Sequence, residues 1–351
     1  MKRYRVEVFS KTFSFRSFAE ITEPDINIDY LCQTVSTLVC PGSLLCETGD
    51  YAQVRIDGIV YFQGIVSDTD FDGTKTTIHL NQMSKLLDID VFADVTLLDS
   101  QTIEQWMTNL FNSQFAGSDP YLNITGYNIT SESSTNGGHV PSDDGVYNLY
   151  ELTVSWFKVY GVMLRISFDP KEKTVDFVYK AVNDDSVMQL DLSVSDVQKY
   201  NVEPSTTSSA NKMVIRNMDN LSQEVTYYWH PSRFSGTIDT DATTNRVLPV
   251  VQKCELVDVA EGETFAGASM QLAIDNMYKT KYSDLITVIF RSDSKLMEIG
   301  EVGQLYTLHE NGTDYDTMLT GIRAVNMKYV EMTFGYVRKR LTQILKIGGR
   351  N

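Results

Sequence analysis

One stretch of this 351-residue chain occurs twice in outline, and that repeat constrains the fold more than any single motif does. The first copy runs Gly49-Asp50-Tyr51-Ala52-Gln53-Val54-Arg55-Ile56-Asp57-Gly58 and then Phe62-Gln63-Gly64-Ile65-Val66. The second runs Gly303-Gln304-Leu305-Tyr306-Thr307-Leu308-His309-Glu310-Asn311-Gly312 and then Leu319-Thr320-Gly321-Ile322-Arg323, with three extra residues before its Gly-Ile pair. Each copy has a Gly, a strand-like run, an Asp-Gly or Asn-Gly turn, a second run, a Gly-Ile pair and a further strand. Asp-Gly and Asn-Gly suit two-residue hairpin turns because both central positions take positive φ. The spacing fits a duplicated β unit, and it also fits two unrelated antiparallel hairpins. The repeat glycines Gly49, Gly58, Gly64, Gly303, Gly312 and Gly321 are expected to set turn geometry and close strand packing.

The rest of the chain extends the β pattern and interrupts it with helices. Residues 2–9, 51–57, 59–67 and 74–80 are rich in Val, Ile, Tyr, Phe and Thr and are separated by turn signals, as in a meander or small barrel. Near residue 100 the period changes. Ile103, Trp106, Met107, Leu110 and Phe111 predict an amphipathic helix behind a Ser100 cap. Residues 116–146, dense in Gly, Ser, Asn, Thr and Asp, predict an exposed excursion. A second helix is expected at 147–160, stopped by Gly161, followed by a hairpin from Val162–Phe168 and Thr174–Lys180. Beyond the polar stretch 203–210, strands are expected near 211–217 and 223–229, a loop over 231–246 and a helix near 264–280. Strands at 284–291, 303–309, 315–325 and 328–335 then precede a basic tail holding Arg338, Lys339, Arg340 and Lys346. The fold class is α+β, mainly β.

Charge and cysteine usage narrow the function. Thirty Lys and Arg stand against 46 Asp and Glu, a net charge of −16, which argues against a static binder of DNA or anionic membranes. A surface that DNA slides past remains compatible with that charge. At roughly 150 residues per domain, the length allows two or three domains with ordinary cores. The basic start Met1–Phe9 has no apolar stretch behind it, so no secretory leader is expected, and no apolar run is long enough to span a bilayer. Cys32, Cys40, Cys46 and Cys254 lack C-x-x-C spacing and neighbouring His, so they are expected to be buried structural thiols.

Candidate chemistry is sparse. Asp68-Thr69-Asp70-Phe71-Asp72-Gly73 matches the opening of a calcium loop, but His79 stands where a bidentate Glu is needed and the flanks are not helical, so a hairpin turn is expected. His79, His139, His230 and His309 are far apart in sequence and fall in no metal-binding frame. No nucleophile elbow or phosphate loop occurs, and the pairs Asp143-Asp144 and Asp184-Asp185 sit within or beside loops. No catalytic set, cofactor or metal is expected. Tyr227, Tyr228 and Trp229 suit core or interface packing; a sugar-binding platform is the competing use.

The segment Gly49 to Asp88, with its G-D-Y-A-Q-V-R-I-D-G-I-V-Y-F-Q-G-I-V run and Ser84-Lys85-Leu86-Leu87-Asp88, resembles the first tube-type domain of phage baseplate hub proteins. The stretch Ala210-Asn211-Lys212-Met213-Val214-Ile215-Arg216-Asn217, continuing to Val225–Trp229, is similar to tail-tip proteins of siphophages. The resemblance implies two tube-type β-barrel domains, at 1–95 and 201–340, an inserted α+β lobe at 96–200, and a tail at 341–351. It implies a non-enzymatic homotrimer forming a pseudo-sixfold ring at the virion tail tip, closing the tube and anchoring tip components during DNA ejection. Implied partners are the distal tail protein or tube ring, the tape-measure C-terminus and receptor-binding or fibre proteins, with DNA passing without specific binding. The same fold also serves contractile tails, phage-like bacteriocins and secretion spikes. An acidic lumen would repel DNA phosphates. The alternative function is a carbohydrate-binding or hydrolytic β-protein acting on the host envelope, which would need an aromatic platform or a carboxylate pair at glycosidase spacing. The chain ends shortly after its basic segment, so no lytic domain is expected.

Overall fold

The structure is a computed structural model and describes residues 3–93, 101–115, 124, 126–135, 145–182, 187–203, 210–231, 236–242, 250–260, 262–277, 284–292, 301–325 and 328–335. Ser100, most of the excursion 116–146, His139, both Asp pairs and the basic tail lie outside the described residues.

The first residues form seven strands, β1 (Tyr4–Phe9), β2 (Phe15–Glu20), β3 (Glu23–Asp29), β4 (Val35–Pro41), β5 (Tyr51–Ile56), β6 (Ile59–Phe71) and β7 (Lys75–Gln82). They pair in the order β3-β4-β7-β6-β5-β1-β2. In β7, Thr76, Ile78, Leu80 and Gln82 are buried while Thr77, His79 and Asn81 face the other side, the two-residue alternation of a strand with one packed face. β6 is 13 residues long and changes partners along its length, from β5 to β7, with a bulge between Val66 and Asp68.

A lobe follows, made of β8 (Asp90–Ala93), α1 (Ile103–Phe115), β9 (Tyr127–Ser131), β10 (Gly145–Asn148), α2 (Leu149–Tyr160), β11 (Val162–Asp169) and β12 (Thr174–Ala181). α1 begins at a capping box: Thr102 N–H donates to Gln105 Oε1 at 3.1 Å, and Gln105 N–H donates to Thr102 Oγ1 at 3.2 Å. The expected cap, Ser100, stands two residues ahead of Thr102. α2 starts at Asn148, whose side chain accepts from Glu151 N–H at 3.2 Å, and stops at Gly161 with φ 68°, as the sequence predicts. Trp106 and Trp156 meet at 5.1 Å between ring centroids in the core between the helices and the hairpin β11–β12.

The chain then returns to the sheet with β13 (Met188–Asp191) and β14 (Val197–Glu203). A second insertion comes next: β15 (Lys212–Asn217), β16 (Glu224–Pro231), β17 (Gly236–Asp239), β18 (Gln252–Val257) and α3 (Phe265–Met277). These form a separate four-stranded sheet with its own small core of Met213, Ile215, Tyr227, Trp229, Ala273 and Met277. The expected strands near 211–217 and 223–229 are β15 and β16. The span 201–340 thus holds two cores, one of them inserted between β14 and the last four strands. Those strands are β19 (Leu285–Arg291), β20 (Leu305–Glu310), β21 (Thr313–Val325) and β22 (Tyr329–Phe334).

β14-β19-β22-β21 joins β3 of the first half, so a single 13-stranded sheet runs from β14 to β2, with β20 and β13 branching from β21. The order is open at both ends, and among the described residues no barrel closes. Where two barrels are expected, the strands share one open sheet, because β6 and β21 outrun their hairpin partners and each pairs onward with a further strand. Ile26, Leu38, Ile78, Val288, Phe290, Val330 and Phe334 lie fully buried in that shared core.

Candidate functional site

Five strands of each half correspond, β3, β4, β5, β6 and β7 with β14, β19, β20, β21 and β22, whereas the strand beside the hairpin differs: β1 runs antiparallel to β5 and β13 parallel to β20. In the first half Gly49 N–H donates to Val66 O at 2.7 Å and Val66 N–H to Asp50 O at 2.8 Å. In the second, Gly303 N–H donates to Leu319 O at 2.7 Å and Leu319 N–H to Gln304 O at 2.9 Å. Val66 and Leu319 therefore hold the same place. Asp57-Gly58 and Asn311-Gly312 both turn with positive φ at each residue, the two-residue hairpin geometry their identities demand. Gly64 and Gly321, aligned in the sequence by their Gly-Ile pairs, stand at different places in the two copies. Gly64 precedes the bulge, opposite Ala52, and its counterpart is Thr317; Gly321 follows the bulge, and its counterpart is Asp68.

A signal that sequence reading passed over is the bulge itself. The next residue in each copy carries a hydroxyl that closes the bulge on the partner strand. Ser67 Oγ donates to His79 O at 3.0 Å, and Thr320 Oγ1 donates to Thr333 O at 3.2 Å. From this point β6 and β21 run beside β7 and β22, forming the matching walls β3-β4-β7-β6 and β14-β19-β22-β21.

One face of the joined wall packs on the core, and the other is polar. Register places Asp68, His79, Thr37 and Asp25 in one row of that outer face, and Arg323, Glu331 and Lys199 in rows of the adjoining half. His79 Nδ1 lies 3.1 Å from Thr37 Oγ1. At the seam between halves, Arg323 Nε and a terminal nitrogen donate to the two Asp25 oxygens at 2.9 and 2.8 Å. The guanidinium holds the Asp25 carboxyl below its ordinary value against the opposing effect of partial burial. Both side chains are over a third exposed, so the pair orders the seam more than it stabilises it. Carboxylates at Glu23, Asp25, Asp68, Asp70, Glu203 and Glu331 outnumber the cations Lys75, Lys199, Arg291 and Arg323 among the described residues of the face.

The other sequence candidates are structural. Asp72 Oδ1 accepts from Thr74 N–H, Thr74 Oγ1 and Lys75 N–H, closing the hairpin that begins like a calcium loop. His230 lies against Asp239, and His309 between Asp314 and Gln189, each across neighbouring strands. No cluster of potential metal ligands occurs among the described residues. Tyr227 and Trp229 are buried under α3 while Tyr228 faces the other side, so these rings do not form a platform. Cys40 is buried, and burial pushes its thiol up to about 12. Cys32 and Cys46 are half-buried. Cys254, expected inside, is exposed, because it sits at the exposed start of β18 at the border of the small sheet.

A cleft of about 650 Å³ separates the wall from the lobe. Gln63 bridges it: its amide donates to Phe168 O at 2.8 Å, and Phe168 N–H donates back to Gln63 Oε1 at 3.0 Å. Tyr30 adds a second tie, its hydroxyl accepting from Leu164 N–H at 3.0 Å. These contacts fix the lobe against the first half, and the described residues lining the cleft include no convergent set of catalytic groups.

No family model matches the sequence, and no curated protein matches it. The chain is similar in structure to a tail protein from Neisseria meningitidis MC58, with a TM-score of 0.58 and 14% identity, covering 95% of this chain and 97% of that one. It is similar to the 43 kDa tail protein of prophage MuSo2 from Shewanella oneidensis, at TM-score 0.56, 13% identity, and 95% and 97% coverage. A third likeness is to prophage tail protein gp18 from Listeria monocytogenes EGD-e, at TM-score 0.54, 12% identity, and 99% and 98% coverage. Over nearly its whole length, this chain carries the fold of phage tail proteins.

Proposed function

We infer that the chain is a structural hub of a phage or prophage tail tip, working through interfaces and not through catalysis. The observation that carries this is the duplicated wall on a tail-protein fold. A chain with two equivalent walls offers six equivalent positions when three copies assemble, which lets a threefold tip seat on a sixfold tube. The two halves of the sheet would be the tube-type β-barrel domains, and the polar outer face would line the channel through which DNA passes. Partners in this role are two further copies, the distal tail protein or tube ring, the C-terminus of the tape-measure protein, and receptor-binding or fibre proteins. The lobe and the small α3 sheet project from the two halves as surfaces for such attachments.

Light scattering of the purified chain over a range of concentrations, with negative-stain images, tests this. A trimer with a ring-like, roughly sixfold projection is the expected result. A monomer that binds or cleaves purified cell walls would replace the hub with the envelope-acting alternative.

A further inference from the structure

Where α1 passes the free edge of β9, the lobe carries a shallow polar groove that the wall and the cleft beside it do not use. Two hollows of about 700 and 560 Å³ meet there at Thr108. β9 is the end strand of the lobe's sheet, with β12 as its one strand neighbour among the described residues. The exposed positions of α1 are Gln105, Asn109, Asn112 and Ser113. The first three recur at i, i+4 and i+7, which sets them along one face over about 10 Å of helix.

Neutrality sets this groove apart. In a chain that is 22% charged, residues 101–115 and 126–131 hold one charged side chain, Glu104, and it is buried in bonds to Ser133 and Thr135. The one other charge in the described lining is Asp176, and no Lys or Arg occurs there. The amides hold one another in place. Asn109 Nδ2 donates to Gln101 Oε1 at 3.1 Å, Tyr127 Oη donates to Asn112 Oδ1 at 2.8 Å, and Asn128 Nδ2 donates to Asp176 Oδ1 at 2.9 Å. Each bond occupies one end of an amide and leaves the other for a ligand: Asn112 keeps two N–H donors, and Asn109 and Asn128 keep their carbonyl oxygens. Tyr127 is itself set edge-on to Phe177, with 6.4 Å between ring centroids.

We propose that this groove binds a neutral oligosaccharide. Sugar hydroxyls both donate and accept, and amide groups answer both roles without a charge of their own to desolvate. A phosphate- or sulfate-bearing ligand needs cations, which the described lining does not hold. A protein interface centres on apolar or aromatic anchors, and α1 exposes none. Amides already locked by their neighbours lower the ordering cost of binding, which matters in a shallow site. Tyr127 supplies ring area for the C–H face of a sugar. The site goes beyond the hub reading: it gives the lobe a ligand of its own, and it does not depend on how many copies assemble.

Saturation-transfer NMR of the full chain, which reads binding as weak as millimolar, tests this. The neutral probes are maltotetraose, mannotetraose and N-acetylglucosamine tetramer, and a heparin tetrasaccharide is the charged one. Transfer to at least one neutral probe and none to the heparin fragment is the expected result. Asn109→Ala with Asn112→Ala, and Asn128→Ala on its own, should each weaken that binding about tenfold, the loss of one or two hydrogen bonds. These side chains are exposed, so thermal melting should stay unchanged and separate lost binding from lost folding. Tyr228→Ala, on the small sheet, should leave binding as it was. No transfer to any neutral probe, equal binding by the groove variants, or binding of the heparin fragment overturns the site. A trimer by light scattering that binds none of the neutral probes loses the groove and keeps the ring.

Discussion

Gly64 shows how one side chain's absence shapes the wall. A Cβ there would lie 2.4 Å from the Asn81 carbonyl oxygen, which is backbone and cannot swing aside. Gly64→Ala is expected to destabilise the protein by about 1–3 kcal/mol, the usual range for overpacking, in urea titrations followed by circular dichroism. At Gly312 the demand is conformational instead: φ is +86°, and a Cβ there would meet nothing within 4 Å. Gly312→Ala should therefore cost about 1 kcal/mol, less than Gly64→Ala. The sequence marks both residues as turn or packing glycines without separating the two reasons. That distinction needs the neighbouring strand, which is 17 residues away in sequence for Gly64 and Asn81.

At the scale of elements, the bulge and the start of α1 carry most of the local chemistry. Thr320 is fully buried and its single hydroxyl proton is shared between Gly335 O at 2.7 Å and Thr333 O at 3.2 Å, whereas Ser67 is half-buried and donates to His79 O. Thr320→Val should cost about 1–3 kcal/mol by leaving buried carbonyls short of a donor, with Ser67→Ala costing less, as read by thermal melting of the two variants side by side. α1 is tied to residues 133–135 through Glu104, only 2% exposed, which accepts from Ser133 Oγ at 2.9 Å, Thr135 N–H at 2.8 Å and Thr135 Oγ1 at 2.8 Å. Burial works to raise its pKa, and these hydrogen bonds outweigh burial and hold it below its ordinary value. A carboxyl with a lowered folded pKa contributes stability that is present above its unfolded value of 4.5 and is lost as pH falls through the folded one. Melting followed by Trp106 and Trp156 fluorescence should show the lobe weakening below about pH 4.5, with Glu104→Gln flattening that dependence.

For the whole molecule, net charge becomes meaningful only once a face is assigned to the channel. Carboxylates at Asp25, Asp68, Asp70, Glu203 and Glu331 lie on the outer face of the wall, where they would repel phosphates and keep DNA from adhering. In particles carrying this chain, Asp68→Lys with Glu331→Lys should slow DNA ejection, measured by dye release. Reversal of acids on the lobe, such as Glu172→Lys, should leave it unchanged. Equal ejection rates in the parent particles and both variants would remove the polar face from the channel.

Local pattern determined much of this protein. Strand alternation, the Asp-Gly and Asn-Gly turns, the period change at Ile103 and the Gly161 stop are set within a few residues, and the structure has them where the sequence places them. The duplication was also legible, through glycines spaced around the two hairpins. What only tertiary structure decided is how the copies align and where they join. The two Gly-Ile pairs lie on opposite sides of the bulge, and the first copy holds one residue more before it, at the register shift between Val54 and Arg55, so matching Gly-Ile to Gly-Ile misplaces Gly64 against Gly321; cross-strand hydrogen bonds reveal the true correspondence. The insertion of a separate core between β14 and β19, and the seam of β3 on β21, depend on pairings between residues hundreds of positions apart, as Asp25 with Arg323. No local propensity encodes such a pairing, because an edge strand's choice of neighbour depends on which other edges the folded core leaves open.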